Sequence, residues 1–112
     1  MSVWFRVTDL DAARTFYRGT LGFDEAYVDE EDRWARLVRG VAEVAIAEGE
    51  PEGEDEDEGT VLTVHVADLK AEAERLRGEG VRVGTVVEIP GTIRLLEVFD
   101  PDGNRLELSQ DL

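Results

Sequence analysis

Val3, Phe5 and Val7 share one side of an alternating run and Trp4, Arg6 and Thr8 the other, the period of a strand with one buried face. At Asp9 the period changes. Leu10, Ala13, Phe16 and Tyr17 recur at helical spacing, and an aspartate just before such a run is a helix N-cap. The same switch returns in VLTVHVADLKAEAERL, with Asp68 as cap, Leu69, Ala73 and Leu76 as apolar stripe, and Gly78 and Gly80 as stop. Val7-Thr8-Asp9-Leu10 is answered by Val66-Ala67-Asp68-Leu69.

Three strand-like stretches follow each helix. In the first half they run roughly Phe23 to Asp29, Arg33 to Arg39 and Val41 to Ala47; in the second, Val81 to Glu88, Thr92 to Phe99 and Arg105 to Ser109. The separators DEED, RG, PG and DPDGN are rich in residues that tolerate tight or left-handed backbone. The pattern therefore predicts an α+β fold of two tandem βαβββ modules, 1–48 and 60–112, joined by an acidic linker at 49–59. One helix covers one face of each curved sheet, so two such units are expected to combine around a cleft and to pair again in a homodimer.

Composition removes several function classes. The chain has 112 residues and 42% hydrophobic content, the size of one domain with a modest core. It has no cysteine, which excludes disulfides, thiolate nucleophiles and Cys-based zinc or iron–sulfur sites. A balance of 27 acidic against 12 basic residues, net −15, repels nucleic acid and anionic lipid. EGEPEGEDEDEG, from Glu48 to Gly59, reads as a solvated acidic segment. No run approaches the ~20 apolar residues of a membrane span, and MSVWFRVTDLD lacks the marks of a signal peptide. A cytoplasmic protein with neither nucleic-acid nor membrane partners is the expectation. Phosphate-loop and G-x-S-x-G motifs are absent.

The repeated organisation, together with VTDLDAARTFYRGTLGF and DPDGNRLEL, resembles the glyoxalase/bleomycin-resistance/extradiol-dioxygenase family, the vicinal oxygen chelate superfamily, over nearly the whole chain. That family includes metal-dependent isomerases, dioxygenases and epoxide-opening resistance enzymes, as well as metal-free proteins that sequester antibiotics; fold alone does not choose among them. In its metal-using members the ligands come from the first and last strands of each half. The resemblance maps those positions onto Ser2, Ala45, Val61 and Glu107. Only Glu107 is a good ligand type, and a divalent ion needs three or more. No metal and no other cofactor is expected.

The candidate ligand-binding residues follow from strand parity. Trp4 and Arg6 fall on the cleft side of the first strand, and Thr63 and His65 on the cleft side of its repeat. Arg33-Trp34-Ala35-Arg36 brings Trp34 and Arg36 together, with the facing of Trp34 left open. Arg94, Glu97 and Phe99 are further candidates to which parity assigns no face. Indole rings and guanidinium planes suit flat conjugated ligands. Glu107 would fix a cationic or donor group, or pair with Arg6. His65, the only histidine, lines the pocket or serves as a general base.

The reading that joins these observations is a metal-free protein, like the bleomycin-resistance branch, that sequesters an aromatic or cationic natural product. The competing reading is a glyoxalase-type lyase or isomerase, or a dioxygenase, with its metal on Glu107, His65 and further ligands.

Overall fold

The structure is a computed structural model that describes residues 3–50 and 61–112. Ser2 and residues 51–59 of the predicted linker lie outside the described residues. The chain divides into two compact units at Leu62/Thr63, each a βαβββ module.

In module one, β1 (Val3–Val7) leads into α1 (Leu10–Thr15), and β2 (Asp24–Asp29), β3 (Trp34–Arg39) and β4 (Ala42–Glu48) follow. The sheet order is β1-β4-β3-β2, with β1 parallel to β4 and the other pairs antiparallel. Asp9 caps α1 through its side chain, which accepts from the Ala12 N–H at 3.2 Å. Leu10, Ala13, Val7, Ala35, Leu37, Val44 and Ile46 are buried where the helix meets the sheet. After Thr15 the helix loosens into a π turn over Phe16–Thr20. That turn sets Tyr17 into the core, edge-on to Phe16 and Phe23 at 5.5 and 5.7 Å. Gly22, at φ 72°, then takes a left-handed conformation that a side chain would strain.

Module two repeats the plan. β5 (Leu62–His65), α2 (Leu69–Gly78), β6 (Val87–Ile89), β7 (Ile93–Phe99) and β8 (Arg105–Asp111) form a sheet of order β5-β8-β7-β6. Asp68 caps α2 by accepting from the Ala71 N–H at 3.1 Å. The expected stripe of Leu69, Ala73 and Leu76 is buried against Leu62, Val64, Leu96, Val98, Leu106 and Leu108. In the β7–β8 turn the buried Asp100 carboxylate accepts from the backbone N–H groups of Asp102 and Asn104 and from Asn104 Nδ2.

One predicted element needs correction. Val81 to Glu88 is not a single strand: β6 covers Val87–Ile89, and Val83 makes only an isolated bridge to Val98. From Val83↔Val98 to Val87↔Leu95 the edge advances four residues while β7 retreats three, so a bulge splits it. Module one carries a matching slip between Glu25 and Tyr27.

The repeat extends to a second, less obvious cap. Glu48 Oε2 accepts from the Leu10 N–H at 2.9 Å, and Gln110 Oε1 accepts from the Leu69 N–H at 2.9 Å. In both modules the last strand thus holds the start of the helix. Counting from these matched residues pairs Trp4 with Thr63, Arg6 with His65, Ala45 with Glu107 and Ala47 with Ser109. Strand registers extend the match to Trp34 with Leu95 and Arg36 with Glu97.

Candidate functional site

The helix-free face of each sheet is where the candidate residues gather. In module one, β1 alternates buried Val3, Phe5 and Val7 with exposed Trp4 and Arg6. On β3, Ala35 and Leu37 are fully buried, which turns Trp34 and Arg36 to the same face as Trp4. The open facing of Trp34 is thereby resolved. β4 runs between these strands, and its residues on this face are Glu43, Ala45 and Ala47.

The two alanines explain what the indoles do. Ala45 is the partner of both Trp4 and Arg36, and Ala47 of both Arg6 and Trp34. With only methyl groups on the intervening strand, Trp4 and Trp34 lean across it until their ring centroids are 5.8 Å apart. Tyr27, opposite Arg36 on β2, continues the row at 5.0 Å from Trp34. These separations lie in the range of favourable aromatic pairs. Trp4 is nonetheless 60% exposed and Tyr27 48%, so the row presents ring surface to solvent rather than to a core.

Charges frame the row. Arg36 lies 3.8 Å from Glu43, both half exposed. The Arg6 guanidinium lies against Gly49, where a Cβ would stand 3.2 Å from its Nη1. At the β2–β3 turn, Arg33 adopts φ 55°, a left-handed conformation unusual for a residue other than glycine. Its side chain is held by Glu48 at 2.9 Å and Asp11 at 3.4 Å. The Arg33 guanidinium, and after it the Leu10 N–H, keeps the Glu48 carboxyl below the usual carboxylate range. On the opposite side of the sheet, Arg14 makes a two-point bond to Glu25 at 2.9 and 3.0 Å, which lowers the Glu25 pKa and ties α1 to β2.

Module two places different chemistry on the equivalent face. Thr63 and His65 alternate with buried Leu62 and Val64, with His65 exposed. The Val66 N–H donates to the Ser109 carbonyl at 2.8 Å, which sets β5 beside β8. Glu107 and Ser109 alternate with buried Leu106 and Leu108. Glu97 stands directly across from Glu107, and Phe99 across from Arg105. Arg105 reaches Glu97 at 3.8 Å, and Arg82 covers the Phe99 ring at 4.1 Å.

Among the sequence candidates, Trp4, Arg6, Trp34 and Arg36 thus share the open face of module one. Thr63, His65, Phe99 and Glu107 share that of module two. Arg94 does not join them: the unbroken β7–β8 register puts it on the face of Leu96 and Val98, where it bonds to Glu88. Tyr27 and Ser109 are the residues that sequence reasoning missed. Tyr27 follows the bulge, which shifts its parity, and Ser109 is a small residue with no motif around it.

The metal positions implied by the family resemblance do not form a donor set. Ala45 carries a methyl group, Val61 an isopropyl group, and Ser2 lies outside the described residues. Among the described residues no three His, Asp or Glu side chains cluster in a way that could hold an ion. These residues do not fit a divalent metal.

Among solved structures, an integron cassette protein from the mobile metagenome of the Halifax Harbour sewage outfall superposes with a TM-score of 0.81 at 23% identity, covering 98% of this chain and 96% of that one. TnmS3, an antibiotic-binding protein from a Streptomyces species, gives 0.74 at 25% identity with 99% and 93% covered. The fosfomycin resistance protein FosX from Mesorhizobium loti gives 0.74 at 22% identity with 100% and 91% covered. A comparison with curated proteins finds no match. No helix among the described residues is long and apolar enough to cross a membrane. The profile of the Glyoxalase/Bleomycin resistance protein/Dioxygenase superfamily matches residues 2–108, and with both modules built to that plan the chain belongs to this superfamily.

Proposed function

We propose that the protein binds and sequesters an aromatic natural product without transforming it, using the Tyr27–Trp34–Trp4 row as a stacking surface. The observation that carries this reading is the exposure of those rings. A row of three aromatic side chains, with Trp4 and Tyr27 each against the central Trp34 and each about half exposed or more, forms apolar surface that a ligand's flat face would remove from water. Arg36 and Arg6 on the same face add guanidinium planes for stacking or for a ligand oxygen. The antibiotic-binding TnmS3, at 25% identity over 99% of the chain, supports a binding role. Protection would come from mass action, with bound compound kept from its target. A homodimer is part of the proposal.

The test is a tryptophan-fluorescence titration of metal-analysed protein against a panel of aromatic antibiotics. Saturable quenching, with each compound recovered unchanged, is the expected result. Trp34→Ala, which removes the central ring, should weaken binding by about 2 kcal/mol or more, the scale of an aromatic hot spot. Conversion of a compound to product, or a stoichiometric metal lost on Glu107→Ala, would sink sequestration and favour the enzyme reading.

A further inference from the structure

The matched positions of the two modules isolate a polar patch that the fold does not require. On module one's open face β4 carries Ala45 and Ala47; the counterparts on β8 are Glu107 and Ser109. A methyl group therefore satisfies the architecture at both places. Ser109 is 1% exposed, and its Oγ has no hydrogen-bond partner among the described residues. A hydroxyl buried in this way destabilises the free protein.

The neighbouring charges are arranged as poorly for the free protein. Glu107 and Glu97 are direct cross-strand partners on the face that carries Ser109, and like charges so placed repel. Arg105 relieves Glu97 from 3.8 Å, with both side chains about half exposed. Glu107 has no ion pair among the described residues. In module one the residue matched to Glu97 is Arg36, so the acidic pair is peculiar to module two. Around the patch stand exposed His65 and Asp111, half-buried Thr63, and Leu95 opposite Ser109.

An ammonium group carries one positive charge and three N–H donors. Two facing carboxylates and an unused hydroxyl oxygen are complementary to both properties. We infer that Glu97, Glu107 and Ser109 form a subsite for the protonated primary amine of a ligand. This rests on the small-molecule-binding reading above and adds the group that is recognised. Ser109 Oγ lies beneath the accessible surface, so an amine that reaches it shifts side-chain rotamers on this face. No existing bond of that hydroxyl is given up.

Calorimetric titration with three probes of one ring system tests the inference: 1-naphthylmethylamine, its N-trimethylated quaternary analogue and 1-naphthoic acid. The primary amine should bind about tenfold tighter than either of the others, because charge-assisted hydrogen bonds need its N–H groups. Glu107→Gln should remove most of that preference by weakening the amine, while the acid, relieved of a like charge, binds no more weakly than before. Ser109→Ala should narrow the gap between primary and quaternary amines while raising the Tm of the free protein, a combination that a merely structural serine would not give. Glu74→Gln deletes the same charge from the exposed side of α2 and should change nothing. Equal binding of the three probes, or equal losses in Glu74→Gln and Glu107→Gln, would overturn the amine subsite and leave sequestration standing. No heat with any probe would also overturn it, and the antibiotic panel would then decide the broader reading by itself.

Discussion

The two modules are built on one plan and present opposite chemistry. Each has an Asp-capped helix, a second cap reaching back from the last strand, the same strand order and a bulge in the edge strand. On the open face, Trp4, Arg6, Trp34, Arg36, Ala45 and Ala47 of module one correspond to Thr63, His65, Leu95, Glu97, Glu107 and Ser109 of module two. Buried positions kept their apolar character because packing a helix on a sheet demands it. The solvent-side positions of the same strands carry no such demand, so aromatic and basic groups occupy one face and acidic and small polar groups the other. A repeat can thus hold its architecture constant while its two faces specialise.

The largest expected effect tests whether the repeats carry equal structural load. Leu10 and Leu69 are matched and fully buried. Leu10→Ala and Leu69→Ala should each cost about 2–5 kcal/mol in denaturant unfolding, with values close to one another. A large cost in one module alone would show that the two repeats do not share the structural load equally.

A smaller effect separates the two second caps. Glu48 titrates and Gln110 does not, although both accept from the first helical N–H. Arg33 holds the folded pKa of Glu48 below the ordinary value of 4.5. The ionised group therefore contributes stability in full above about pH 4.5, and that contribution is lost as pH falls through the lower folded value. Glu48→Gln should be less stable than the parent at pH 7, and the gap should close in melts taken at progressively lower pH. A gap that stays constant down to about pH 3 would show that Arg33 does not stabilise the carboxylate. Both tryptophans lie in module one, so their fluorescence reports the module where the difference arises.

The smallest effect concerns Arg33 itself. Arg33→Gly relieves the left-handed backbone but removes the bonds to Glu48 and Asp11. Net stability should change little, because the relieved backbone strain and the lost surface ion pairs oppose one another. Loss of the anchor should nevertheless free the start of β3, seen as lower fluorescence anisotropy of Trp34 in a Trp4→Phe background. Unchanged anisotropy would mean that the ring row, and not Arg33, fixes the indole.

Periods of two and 3.6, the paired Asp-Leu caps and the turn motifs were enough to derive the repeated βαβββ plan from the residues alone. They also placed Trp4, Thr63, His65 and Glu107 on open strand faces, because alternation is a local property of an unbroken strand. Where a strand is broken, parity fails. The bulge after Glu25 concealed Tyr27, and the slip between Val83 and Val87 made two short pieces look like one strand. The facing of Trp34 and Arg94 also waited for the structure, since each lies in a stretch whose neighbours fit either register. The contact between the two indoles depends on alanines from a third strand. The orphaned hydroxyl of Ser109 and the opposition of Glu97 to Glu107 depend on register between strands. Such relations join residues distant in the chain, and cross-strand hydrogen bonds, not any local pattern, decide them.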